Sequence, residues 1–371
     1  MDEPHLERMP RFSTIAFAEK VAVSDTLRRP LSGYLGGVDK SEGYYVNRLI
    51  DKWCEEFRCK YAIPCNSATS GLLAACMAIG IKPGDTVWVS AMGMSATAAC
   101  AKVLGAHIVF IDVETIRFSM NMNMMPRDVP RCVIITSLFG HPAYLSSIRS
   151  WCDSNDVWMI EDAAQAPFAM EAGKYAGTIG HIGVFSFNVH KHIQAGEGGI
   201  CVTDDHALAE KLAGAINHGE LAHRSAGLNL RMTEPTAAIA FAQLARASHI
   251  IESRRHIAYE LTEMVAGIPW ITAQTDDVGC KHVYYRWVAR VDPGKRHSFV
   301  GNLNARGMPM TIGYSPTLNR VFNSNINCPV AQDMEDRELV SFGVCEWEPK
   351  TRHFNQMREI IKRIAGGLDE A

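Results

Sequence analysis

The chain has 371 residues, 47% of them hydrophobic and 21% charged, with a formal net charge of −3. That balance is ordinary for a globular enzyme and gives no reason to expect a nucleic-acid or acidic-membrane partner. No apolar run reaches the roughly 18 residues a membrane span needs, and residues 1–12 mix acids and bases with no signal-peptide core behind them.

At this length two domains are expected. Residues 1–40 read as irregular, ending in the turn-rich Ser32–Gly37. Val46, Leu49, Ile50, Trp53 and Phe57 then recur at helical spacing. Ser67-Ala-Thr-Ser-Gly71 opens an apolar helix running to about Ile79, and Lys82-Pro-Gly-Asp85 is a turn. Strands and helices alternate after that. Strands are predicted at Thr86–Ser90, His107–Asp112, Cys132–Thr136 and Val157–Ile160, the last running into Glu161-Asp162. Helices are predicted at Ser95–Leu104 and Leu145–Ser154. The order predicts an α/β fold, with a mostly parallel sheet flanked by helices. Val184–Phe187 and Gly199–Thr203 add two short strands, and Asp204 or Asp205 caps a helix reaching Asn217. One long helical stretch, Thr233 to about Val265, leads into a smaller α/β part. That part contains strands such as Val283–Val291 and helices such as Ser298–Ala305 and His353–Ile364. The expected division is a large domain over 1–240, with an arm over 1–40, and a small C-terminal domain over 241–371.

The 11 cysteines are odd in number, scattered, and contain no Cys-x-x-Cys pair. Cys54, Cys59 and Cys65 cluster, but at no common zinc spacing. They read as reduced thiols, which places the protein in the cytoplasm, with no metal. Met-rich Met120–Met125 reads as a loop or as packing.

Lys191 carries the most chemical information. It follows a short apolar strand and precedes the glycine-rich turn Gly196-Glu-Gly-Gly199. A lysine held against packed backbone is desolvated, which favours the neutral amine, a nucleophile toward carbonyls. Asp162 closes an apolar strand, where a side chain points into the crevice at the C-terminal ends of a parallel sheet. Glu161 beside it points the other way. Gln165 lies three residues on. Thr69 and Ser70 start a helix whose free N–H groups and dipole favour an anion. Ser186 is a second candidate for that anion. His190 and His192 flank the lysine, and one of them is expected to face the core. A lysine for an aldehyde, a carboxylate for a ring nitrogen and donors for a phosphate are what pyridoxal phosphate requires.

These segments together resemble the DegT/DnrJ/EryC1/StrS aminotransferases. The likeness runs over roughly residues 25 to 365. It is carried by Asn66–Gly71, Lys82–Asp85, Gly105–Asp112, Ile160–Ala166, Ser186–Gly199, Asn217-His-Gly219 and Gly227–Glu234. The resemblance implies an aspartate-aminotransferase-like fold of type I and pyridoxal 5'-phosphate as cofactor. It implies that Lys191 forms the Schiff base, Asp162 pairs with the pyridine nitrogen and Gln165 contacts the ring oxygen. Thr69, Ser70 and Ser186 would bind the phosphate. Asn229 would reach the neighbouring subunit's phosphate, making a homodimer with composite sites. Met94 stands where the family usually has an aromatic residue against the ring. His192 and Tyr314 are candidate substrate contacts. Gly313 replaces a histidine common before that tyrosine, and Ser341–Pro349 replaces a leucine- and proline-rich segment. Both departures lie where the family contacts substrate. The implied reaction passes an amino group from glutamate or glutamine to a keto-sugar, a nucleotide-linked keto-deoxyhexose, by ping-pong chemistry. Competing readings are a cyclitol or aminoshikimate-type ketone as acceptor, a sugar dehydratase using the pyridoxamine form, and a regulatory homologue without catalysis.

Overall fold

In the computed structural model, residues 4–38, 40–220 and 226–369 are described. A seven-stranded sheet forms the centre. Its first five strands are β1 (Tyr61–Cys65), β2 (Thr86–Ser90), β3 (His107–Ile111), β4 (Cys132–Thr136) and β5 (Trp158–Asp162). A small ribbon, β6 (Met170–Glu171) with β7 (Lys174–Tyr175), precedes β8 (Ile182–Ser186) and β9 (Gly199–Thr203). The order across the sheet is β1-β9-β8-β5-β4-β2-β3. From β3 to β8 the strands run parallel, while β9 and β1 close one edge antiparallel to their neighbours. Every residue of β4, β8 and β9 is buried. Such unbroken apolar runs suit strands covered by helices on both faces.

Helices α1 (Phe17–Thr26), α2 (Tyr44–Phe57), α3 (Ala68–Ala78), α4 (Ser95–Lys102), α5 (Leu145–Ser154) and α6 (His206–Ile216) belong to this part. Val46, Leu49, Ile50, Trp53 and Phe57 form the buried stripe of α2. Helix α3 sits close on the sheet because Gly71 has no side chain. A Cβ there would lie 2.9 Å from Val184 Cγ1 and 3.0 Å from Cys201 Sγ. Asp205, one of the two expected candidates, caps α6 by accepting the Leu208 N–H.

The stretch predicted as one helix from Thr233 to Val265 is two: α7 (Glu234–Leu244) and α8 (Ala247–Val265). The break falls at Arg246, whose guanidinium is drawn to Glu19 and the Thr14 carbonyl. That tertiary contact also explains α1, which lies within residues expected to be irregular. Glu19 accepts the Ala16 N–H at 2.7 Å and the Gln243 amide at 2.9 Å while fully buried. No local signal announces either feature.

The second sheet is antiparallel: β10 (Ile271–Ala273), β12 (Trp287–Val291), β14 (Leu339–Phe342) and β13 (Met310–Ile312), in that order across it. Strand β11 (Cys280–Lys281) instead extends the β6–β7 ribbon. The strand predicted at Val283–Val291 shortens to β12 because Tyr284 takes a left-handed conformation, φ 50°. Helices α8, α9 (Pro293–Ala305) and α12 (Thr351–Asp369) pack with this sheet. Both α9 and α12 are longer than predicted. Asp292 caps α9, with Pro293 at its first position, where a missing N–H costs nothing. Short helices α10 (Leu318–Val321) and α11 (Pro329–Asp333) link β13 to β14. Leu6 and Met9 pack in this second core with Trp287, Phe299, Phe342 and Met357. The start of the chain therefore lies against the C-terminal part. Among the described residues no helix is long and apolar enough to cross a membrane, and all 11 cysteines are free thiols.

Candidate active site

The C-terminal ends of β4, β5 and β8 and the start of α3 open onto one cavity of about 370 Å³. Parallel strands all present their carbonyl ends at this edge, where α/β proteins bind ligands. Among the described residues, larger clefts of about 650, 690 and 480 Å³ lie elsewhere and hold none of the candidate cofactor or substrate residues. We place the chemistry in the smaller cavity, because Thr69, Met94, Asp162, Gln165, Ser186, Lys191 and Tyr314 all line it.

Asp162 is 4% exposed. Its Oδ2 accepts the Thr97 hydroxyl at 2.6 Å and its Oδ1 accepts the Ala164 N–H at 3.2 Å. Burial pushes its proton affinity above the ordinary carboxylate range, while the Thr97 and Ala164 donors and the Lys191 charge pull it back. Neutral donors leave a buried anion only partly compensated. Burial pushes Lys191 the other way, toward the neutral amine, opposed by Asp162 and then Cys345. Lys191 Nζ lies 4.4 Å from the centre of the Tyr285 ring. Glu161 faces away as expected and accepts the N–H groups of Gly177 and Ile179 at 2.6 and 2.7 Å.

Gln165 is held at both ends. Its Oε1 accepts the Phe139 N–H at 2.7 Å, and its Nε2 donates to the Tyr314 hydroxyl at 2.8 Å. One amide N–H remains free of these bonds. Tyr314 is placed by Glu335, whose carboxylate accepts the Tyr314 N–H at 2.8 and 3.0 Å. Gly313 allows this twice over. Its φ is +69°, and a Cβ would sit 2.2 Å from Glu335 Oε1.

Ser67 caps α3 by accepting the Ser70 N–H at 3.1 Å. The Ser70 hydroxyl lies 2.9 Å from that of Ser67, and Ser70 itself is not among the residues lining the cavity. Ser186 Oγ accepts the Asn188 N–H at 3.3 Å. Met94 is 56% exposed at the mouth. His192, a candidate substrate contact, is fully buried outside the cavity lining, with Nδ1 2.7 Å from Arg254 Nη1. Direct contact with substrate is not open to it in this arrangement. Its neighbour His190 lines the cavity. Asn229 is exposed and outside the lining, its backbone paired with Asn217.

Residues not singled out by sequence also belong here. Thr97, Thr136 and Tyr285 bear on the site, as does the Asn188–Glu197 pair, joined at 2.9 Å across the turn after Lys191. A threonine within a small-residue helix and a tyrosine far along the chain carry no sequence signal of such a role. Glu197 lay in view within the glycine-rich turn.

The model of the DegT/DnrJ/EryC1/StrS aminotransferase family matches residues 33–342. A GDP-perosamine synthase of Escherichia coli O157:H7 is 31% identical over 253 residues, covering 66% of this chain and 69% of the relative. A UDP-N-acetyl-3-dehydro-alpha-D-glucosamine 3-aminotransferase of Acidithiobacillus ferrooxidans is 30% identical over 290 residues, covering 75% and 78%. The solved structure of an aminotransferase from Psychrobacter cryohalolentis superposes with a TM-score of 0.87 at 23% identity, covering 98% of this chain and all of that one. The chain belongs to this family, has its type I fold, and is a pyridoxal-phosphate-dependent aminotransferase.

Proposed function

We propose that this member of the family passes an amino group from glutamate or glutamine to a nucleotide-linked keto-sugar. One observation carries the reading: Lys191 and the buried carboxylate of Asp162 share one cavity at the strand ends. The relatives' GDP- and UDP-sugar names support the class of acceptor. Lysine at 191, where dehydratases of the same resemblance have histidine, favours amination.

The donor set suits pyridoxal phosphate. Asp162 is an anion taken out of water, and a protonated ring nitrogen would supply the missing cation. When bound, the cofactor supplies an aldehyde that carries the amino group and a ring that withdraws electrons. Asp162 would hold the ring proton at its carboxylate, which the Thr97 hydroxyl orients. Gln165 offers its spare amide N–H to the ring oxygen. Thr69 and Ser186, which line the cavity, would hold the phosphate with the free N–H groups of α3, and Ser70 would join them by turning its hydroxyl away from Ser67. Met94, at the cavity mouth, would cover the ring face. Lys191 Nζ, which lines the cavity, would hold the cofactor through its aldehyde, and as a free amine it would be the site's proton carrier. Tyr314 stands at the acceptor's side. By the family resemblance, exposed Asn229 would reach the phosphate of a second subunit, in a cytoplasmic homodimer with composite sites. The working domains are 1–240, with the arm 1–40, and 241–371.

The test is an absorbance spectrum of the cofactor-loaded protein before and after L-glutamate or L-glutamine, followed by a panel of keto-sugar nucleotides. The expected result is loss of the cofactor's visible band with one donor and its return with a keto-sugar. A Lys191→Ala variant with wild-type turnover would sink the assignment. Return of the band with a cyclitol or aminoshikimate-type ketone alone would replace the acceptor.

A further inference from the structure

Tyr285 reaches the cavity from the C-terminal part of the chain, and its route there is constrained. The residue before it, Tyr284, has φ 50°, a left-handed conformation that a bulky side chain adopts only when its surroundings hold it. Those surroundings are visible. The Tyr285 N–H donates to the Phe139 carbonyl at 2.6 Å. Tyr284 is buried and stacked on His282, with ring centres 3.7 Å apart. The Tyr285 ring meets His192 edge-on at 6.4 Å, and His192 is itself held by Arg254. The result of this bracing is a ring face presented to Lys191 Nζ at 4.4 Å.

We propose that Tyr285 is a positioning residue for Lys191, its ring face seating the lysine's ammonium whenever the lysine is not bonded to cofactor. The inference rests on the Schiff-base role given to Lys191 above. The face of an aromatic ring carries negative potential, and its attraction for a cation grows where water is excluded. The seat therefore favours the protonated amine, which is the form that can deliver a proton, against a burial that favours the neutral one. Other groups around the amine are Asp162 at the end of β5, Cys345 beyond β14, the Tyr285 and Tyr314 hydroxyls, and His192 behind the cavity. His190 and Glu197 lie on the lysine's own loop. Asp162 supports the ammonium as well, so the ring's share must be read by difference.

The measurement uses the full-length protein without cofactor. The rate of Lys191 acetylation by acetic anhydride is followed against pH by peptide mass spectrometry. Only the neutral amine reacts, so the midpoint of the curve reports proton affinity, and the plateau at high pH reports access. In Tyr285→Leu the midpoint should fall, so that acetylation at neutral pH speeds several-fold beyond any change in plateau. Tyr285→Phe, which keeps the ring, should leave the midpoint near wild type. Pentafluorophenylalanine at 285 keeps the shape and reverses the ring's field, so it should behave like leucine; it also serves if the leucine variant does not fold. An unmoved midpoint in the pentafluoro variant, or a Phe variant that shifts as far as Leu, would overturn the proposal. Borohydride reduction of the loaded protein, with mapping of the labelled peptide, separates this from failure of the wider reading. Label on Lys191 with an unmoved midpoint rejects only the seat, whereas label elsewhere rejects the Schiff-base role.

Discussion

The cavity's floor comes from the large sheet: Asp162 ends β5, Ser186 ends β8, and Lys191 follows within a short turn. Its opposite wall comes from turns of the second part, where Tyr285 follows a residue at φ 50° and Tyr314 follows Gly313 at φ 69°. The floor is placed by strands that pair over their whole length, so its side chains inherit the rigidity of the sheet. The wall is placed by contacts of turns and side chains rather than by paired strands, among them Glu335 to the Tyr314 N–H and Phe139 to the Tyr285 N–H. A shared reaction needs a constant floor. A particular acceptor needs a wall that can be rebuilt without disturbing it.

The sharpest way to break this division is at the floor. Asp162→Asn keeps the size and removes the charge that would hold the ring proton. Turnover should fall about 10³-fold or more, the scale of losing a preorganised electrostatic partner, while Lys191 still takes up cofactor. Steady-state rates with the best donor check it, and a loss below tenfold would remove Asp162 from the mechanism.

At the wall, Gly313→Ala tests whether the Glu335 contact is structural. The new Cβ would meet the Glu335 carboxylate and occupy a left-handed conformation, which together should cost about 2 kcal/mol or more. A lowered melting temperature should accompany a raised KM for the acceptor, with the cofactor spectrum unchanged. An altered spectrum would mean that floor and wall are not independent.

A smaller effect separates function from stability. Burial raises the Asp162 proton affinity in the folded protein above its unfolded value near 3.8. The associated stability is therefore fully present below that pH and is lost as pH rises through the folded value. In the cofactor-free protein at neutral pH, the ionised carboxylate is a cost. Asp162→Asn should then melt a few degrees above wild type at pH 7.5, with the gap closing toward pH 4. A variant that melts lower at every pH would show that its hydrogen bonds outweigh its charge.

The floor was legible in sequence because its residues are close to one another along the chain and follow strands of plain pattern. Asp162 and Gln165 share one segment, and Ser186 and Lys191 another. Thr97 was not legible, because its bond to Asp162 joins residues 65 positions apart. Tyr285 was hidden by the same apolar run that suggested a strand from Val283. His192 was a candidate substrate contact under the resemblance, yet it is the flanking histidine that faces the core, because neighbours in a turn point to opposite sides. The split between α7 and α8 and the presence of α1 depend on Arg246 and Glu19 meeting across the molecule, which no local window contains.

Arg254 offers the smallest effect and tests how far the wall's support extends. Its guanidinium is buried, yet among the described residues it pairs with no carboxylate. It donates to His192 Nδ1 at 2.7 Å and lies 4.6 Å from the Phe12 ring centre. Breaking a buried ion pair costs about 3–5 kcal/mol because it strands a charge, but removing an unpaired buried cation strands nothing. His192 loses a donor in the exchange, and a neutral imidazole can move its proton to the other nitrogen. Arg254→Met, which keeps the length and the contact with Phe12, should therefore change stability by no more than about 1 kcal/mol in denaturant unfolding. Its effect should appear in the site instead. With His192 no longer pinned, the Tyr285 ring loses part of its edge support, and kcat should fall a few-fold with KM for the amino donor nearly unchanged. A stability loss above about 3 kcal/mol would mean that the cation has a counter-charge in the working molecule, supplied across the subunit contact.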